Sequence, residues 1–221
     1  MSYFTPELFK FLKELKSHNN RPWFESNKAR YEADVKEPML RFITDLGQRL
    51  KKISPYLTAD SRPSGGSMFR IYRDVRFSRD KSPYKTNVGA HFSHVREKDV
   101  HAPGLYLHLA PGQSFGGGGL WHPDAEALKK VRDRIASRPV EWKAVKKPGV
   151  RIRGDALKRV PAGYDADHPF AEDLKHKDFY IMEEWSEREV VARDFMDRFL
   201  GAARSAAPLM QFVSKALGLP W

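Results

Sequence analysis

At 221 residues the chain fits one large domain or two small ones, and no stretch of it marks a clean linker. Hydrophobic residues at 41% and aromatics at 12% allow a substantial core and argue against disorder. The absence of cysteine excludes a disulfide framework, a thiolate metal site and cysteine catalysis, while a net charge of +11 favours anionic partners without showing that one is bound.

Residues 5 to 17 read as a helix: Thr5 is a candidate cap, Pro6 suits the first position, and Leu8, Phe9, Leu12 and Leu15 return at helical spacing. Glu7, Lys10, Lys13 and Glu14 interrupt the apolar core that a signal peptide needs. No run approaches the roughly 20 apolar residues that span a bilayer, so a soluble cytoplasmic protein with no membrane partner is expected. After the break at His18–Pro22, helical patterning runs from Trp23 to about Ile53, with Pro38 expected to kink it or start a new helix.

The period then changes from 3.6 to 2. Met68–Phe77 alternates as a strand, with Phe69, Ile71, Arg73, Val75 and Phe77 on one face and Met68, Arg70, Tyr72, Asp74 and Arg76 on the other. Asn87–Ser93, Leu105–Leu109 and Phe115–Trp121 follow, the last two joined by the turn 110–114, as a largely antiparallel meander. Helical pattern returns at Pro123–Ala136. Residues 138–182 read as irregular, with short strands near Val150–Ile152 and Phe179–Met182 and a helix near Pro169–Lys175. A final helical region covers Ser186–Leu217, divided by Pro208. The expected class is α+β: an antiparallel sheet of four or more strands, with N- and C-terminal helices packed on one face, in a single domain over 1–221.

Seven basic residues lie between Arg62 and Lys85, opposed only by Asp74 and Asp80. Arginine's planar fork suits phosphate and carboxylate. If the apolar faces of the strands meet the helices, the opposite face collects Arg70, Tyr72, Arg76, Asn87, His91, Tyr106 and His108. Glycines 116 to 119 then leave room for a ligand beside them. On this reading Arg70, Arg73, Arg76, Lys81 and Lys85 hold an anion, and Tyr72, Tyr106 and His108 orient the ligand. Asp74 and His91 are the acid–base candidates if there is catalysis. Arg73, on the apolar face, has a structural pairing with an acid as its alternative role. The turn Arg76–Thr86 could also form an anion-binding concavity from backbone N–H groups and hydroxyls. The bland alternatives are a solvated face of Arg–Asp pairs and an exposed charged turn.

Histidines 91, 94, 101, 108 and 122 raise the question of a metal, but His91 and His94 face opposite ways on a strand and no ligand motif is present, so none is expected. Gly112–Gly116 matches G-x-S-x-G literally, yet a strand rather than a helix follows, and a hairpin turn is the better reading. Trp23, Phe24, Trp121, Trp142 and Trp185 are expected in the core. The leading function is binding of a phosphate- or carboxylate-bearing small molecule, with nucleic-acid binding or a ligand-free scaffold as alternatives. Cofactor, reaction and oligomeric state are not specified.

The strings Asn20-Arg21-Pro22-Trp23-Phe24, Phe69 through Phe77, Asp80 through Thr86 and Gly119-Leu120-Trp121-His122-Pro123 together resemble a family with bacterial and fungal members catalogued as a domain of unknown function, family 2461. The resemblance runs from about Phe4 to Leu217. It implies one continuous intracellular domain and carries over no activity or catalytic residue.

Overall fold

The computed structural model describes residues 2–96, 102–147 and 149–221. Helix α1 (Pro6–Ser17) buries Leu8, Phe9, Phe11, Leu12 and Leu15 along one stripe; Thr5 is extended at its N-cap and makes no side-chain capping bond. In α2 (Arg21–Ser26) the Asn20 side-chain oxygen accepts the Trp23 N–H at 3.0 Å. The chain continues through α3 (Lys28–Tyr31), a π-helical turn (Glu32–Lys36) and α4 (Glu37–Leu50). The wide turn lies directly before Pro38, whose ring clashes with a regular i−4 carbonyl and which lacks the N–H to bond it. Pro38 therefore sits in the first turn of α4, where a proline is tolerated.

Strands β1 (Val88–Ser93), β2 (Gly104–Leu109), β3 (Ser114–Leu120) and β4 (Phe179–Trp185) form an antiparallel sheet in the order β1-β2-β3-β4. On one face Leu105, Leu107, Leu109 and Phe92 are buried. Against that face packs α9 (Phe195–Ala216), whose Phe199 contacts Phe92, and α4 lies behind it through Phe42 on Phe199. The other helices are α5 (Ala125–Ser137), α6 (Pro139–Val145), α7 (Ala171–Leu174) and α8 (Glu187–Val190). The α+β class holds. Pro208 does not divide α9. Leu200, Ala203, Ala206 and Leu209 bury one face across it, while the carbonyl that loses its donor belongs to exposed Arg204.

The expected strand Met68–Phe77 does not form. Residues 67–69 flank β1 through Phe69 N–H to the Gly89 carbonyl at 2.9 Å and His91 N–H to the Ser67 carbonyl at 2.8 Å. The chain then folds on itself, with Lys85 N–H on the Ile71 carbonyl at 2.7 Å and Arg73 N–H on the Pro83 carbonyl at 2.9 Å. Beyond Tyr72 the Asp74 carboxylate accepts the Arg76 N–H at 3.2 Å, a local bond that competes with any ladder. Of the expected apolar face only Ile71 is buried, and Phe77 is 96% exposed. The fourth strand is supplied instead by Phe179–Trp185. Among the described residues no helix is long and apolar enough to cross a membrane.

Candidate functional site

The register aligns His91, Tyr106, Gly117 and Met182 across the sheet, with Gly89, His108, Phe115 and Glu184 in the next row and Gly104, Gly119 and Tyr180 in the row on the other side. These side chains point away from α9. Over them lies a cavity of about 550 Å³, walled by Phe69, Phe115, Trp121, Tyr180 and Met182 and floored by Gly104, Gly117 and Gly119. Its polar groups include His91, Tyr106 and His108, and no Lys or Arg among the described residues lines it, so the outer sheet face is aromatic with a few polar points rather than basic. A shallower depression adjoins it, sharing Phe115, Tyr180 and Met182 and reaching Arg153, which is paired with Glu184 at 2.7 Å.

The glycine run has a second cause besides the cavity. A Cβ at Gly118 would meet Met210 Sδ at 2.5 Å and Leu105 Cδ2 at 2.6 Å, and one at Gly116 would press on Phe199 and Trp185 at 3.0 Å. At Gly117 and Gly119 it would strike the backbone carbonyls of Ile181 and Phe179. Alternate glycines thus admit α9 on one side and the β4 backbone on the other.

His108 is the best-defined polar group. Its Nδ1 faces the Tyr106 hydroxyl at 3.1 Å and the Asn87 amide nitrogen at 3.5 Å. An amide nitrogen can only donate, so Nδ1 is the acceptor and the neutral ring carries its proton on Nε2. Burial lowers the His108 pKa below the ordinary histidine value and pushes the Tyr106 phenol up to about 12. His108 is therefore a neutral N–H donor near pH 7. The His91 ring lies over Gly104, where a Cβ would collide with Nε2.

The predicted anion-binding residues are dispersed. Arg73 pairs with Asp80 and donates to the Ser82 carbonyl at 3.1 Å. Arg76 forks onto Asp74, Nε to Oδ1 at 3.0 Å and Nη2 to Oδ2 at 2.7 Å. Lys81 Nζ donates to the Val75 carbonyl at 3.0 Å. In the turn, the backbone N–H and hydroxyl of Ser82 and the Arg73 guanidinium are taken up by the chain's own Asp80 carboxylate. The Asp80 carboxylate takes the Ser82 N–H at 2.9 Å, the Ser82 hydroxyl at 2.6 Å and the Arg73 guanidinium, and these hold its pKa down at about 2. Arg76 does the same to exposed Asp74, also about 2, and Asp74 does not line the cavity that contains His91. Tyr72 stands half-exposed against Phe24 and Tyr84, away from the cavity lining.

Lys85 does not line the cavity but stands against one of its walls. Its Nζ lies 5.3 Å from the centroid of Phe69, a lining ring. Burial first, and the nearby Arg70 charge second, lower its pKa. Neither Lys85 nor Arg70 forms an ion pair with a carboxylate among the described residues.

The remaining candidates are structural. Buried His94 donates from Nε2 to the Pro220 carbonyl at 2.8 Å, and its Nδ1 accepts the Arg96 N–H. His122, at φ 46°, gives its N–H to Asp178 at 2.6 Å. The Ser114 hydroxyl is bonded within the 110–114 hairpin turn. His101 lies outside the described residues, and among those described no three His, Asp or Glu are placed to hold a metal ion. Trp142, Trp185 and Phe24 are core as expected, whereas Trp121 is exposed at the cavity edge because it follows the last paired residue of β3. Sequence reasoning missed Phe115, Trp121, Tyr180 and Met182. Phe115 stands in register with His108, and that alternation was the available signal.

An antiparallel sheet with helices on one face and an aromatic, glycine-floored hollow on the other defines an α+β protein with one open sheet face. Within that class the chain belongs to the family described as Conserved hypothetical protein (DUF2461), whose model matches residues 7–212. No curated protein and no solved structure is similar enough to match it.

Proposed function

We propose that the chain binds a small molecule with an apolar or ring-shaped body and a phosphate or carboxylate group. The body lies on the glycine floor between Phe69, Phe115, Trp121 and Met182, and the anion is held by Lys85 and Arg70. The observation that carries this reading is an apolar cavity of ligand size that has a half-buried lysine beside one wall. Burying Lys85 costs free energy that no carboxylate of the described chain offsets, and an incoming anion would. Tyr106, His91 and His108 supply the few hydrogen bonds that orient the body. Should the ligand be transformed, His91 is the proton carrier in the cavity; Asp74, a weak base tied to Arg76, is not.

Thermal unfolding with ring-bearing phosphates and carboxylates tests this, with inorganic phosphate as the comparison. A ligand at a hundred times its Kd stabilises by about 2.7 kcal/mol, a rise of roughly 5–10 °C for a chain of this size. The rise should shrink in Lys85→Ala. A flat panel, or a rise that Lys85→Ala leaves intact, would overturn the proposal.

A further inference from the structure

A second feature shares no residue with the cavity. Phe77 is 96% exposed, although burying a phenylalanine is favourable. The loop that carries it is braced: Arg73 and Ser82 hold Asp80, Arg76 forks onto Asp74, Lys81 Nζ donates to the Val75 carbonyl, and Ser78 N–H donates to the same carbonyl at 3.3 Å. The Arg76 guanidinium stands 5.8 Å from the Phe77 ring centroid.

The bracing also sorts the charges. Asp74 and Asp80 are each neutralised by an arginine of the loop, whereas Arg79 and Lys81 form no ion pair with a carboxylate among the described residues. The tip therefore presents a flat ring with uncompensated cations within four residues of it. A ring stacks on any base, and flanking cations meet the phosphates on either side. A bilayer fits less well, since a stable surface anchor needs a broad apolar face or two membrane signals, and here a single ring stands among polar neighbours.

We propose that the loop from Arg76 to Lys81 is a docking finger for single-stranded nucleic acid, with Phe77 stacking on a base and Arg79 and Lys81 on phosphates. Fluorescence anisotropy of the full chain with a labelled oligothymidylate of about 16 nucleotides tests it. With the two phosphates at Arg79 and Lys81 neutralised, affinity should fall roughly 7-fold between about 50 and 200 mM salt. Phe77→Ala, which removes a side chain with almost no packing, should weaken binding by about 5–150-fold, and Phe77→Trp should retain it. Arg79→Ala with Lys81→Ala should flatten the salt dependence. The proposal is overturned if the oligonucleotide fails to bind, or if Phe77→Ala binds it as tightly as the parent. It is overturned equally if phosphatidylserine vesicles bind through Phe77 while the oligonucleotide does not.

Discussion

The imidazole of His108 lies flat on the ring of Phe115, with centroids 4.6 Å apart and planes 3° from parallel. Stacked on an apolar ring and buried, the imidazole is withdrawn from the water that would solvate its charged form, and its pKa is lowered. A histidine that resists protonation when folded, against about 6.5 unfolded, contributes stability that is fully present above that pH. The contribution is lost as pH falls from about 6.5 to the folded value. His176, also lowered chiefly by burial, acts in the same direction. Urea midpoints should therefore drop from about pH 7.5 to 5.5, and His108→Gln should remove part of the drop while His176 sustains the rest.

The same reasoning with another group governs ligand affinity at high pH. Lys85 deprotonates below the ordinary lysine range because burial and Arg70 both disfavour its charge. Affinity for an anionic ligand should decline on alkaline titration before an ordinary lysine would lose its proton. Lys85→Arg, permanently charged, should abolish that decline. Isothermal titration across the alkaline range measures both chains.

Two glycine-to-alanine changes should have opposite signs. At Gly118 the added methyl meets Met210 and Leu105 in a filled core, an overpacking that costs about 1–3 kcal/mol. Calorimetry should show a Tm lower by roughly 2–12 °C. At Gly201, within α9, an added Cβ meets nothing, and the helix should gain about 0.5–1 kcal/mol. Loss at Gly201 would contradict the packing described for α9.

Asp173 is buried, accepting the Trp142 indole N–H at 3.0 Å and Lys146 Nζ at 2.8 Å. Asp173→Ala leaves the buried indole donor unsatisfied, at a cost of about 1–3 kcal/mol. Adding Trp142→Phe to that variant should recover part of the loss, since the stranded donor is then absent. A thermal-denaturation series over the two single variants and the double variant checks the coupling.

How much of this was legible in the sequence differs by element. The stripe of α1 and the alternation in β2 are each produced by the face they bury, so period revealed them. Alternation failed at Met68–Phe77 because side-chain bonds at short range, Asp74 to Arg76 and Asp80 to Ser82, turn the chain before a ladder can form. Helix α6 was read as irregular because Pro139 looked like a breaker, although proline is at home in a first helical turn. At the candidate site, alternation marked His91, Tyr106 and His108. Nothing local could show that Tyr180 and Met182, from a strand some 60 residues farther along, close the same hollow. Nor could composition show that the arginines would turn to their own aspartates.

The segments flanking the sheet also bear on how copies of this chain meet. Residues 67–69 occupy the free side of β1, and Arg153 exchanges backbone bonds with Tyr180 on the free side of β4. Farther along β4, Glu183 and Glu184 put charge on the stretch that remains. An unpaired border invites another molecule's strand to continue the ladder, and covering or charging it is how such growth is stopped. With both borders covered or charged, self-association by strand addition is disfavoured, and the glycine-rich β3, the strand least able to defend itself with side chains, is kept in the interior between β2 and β4.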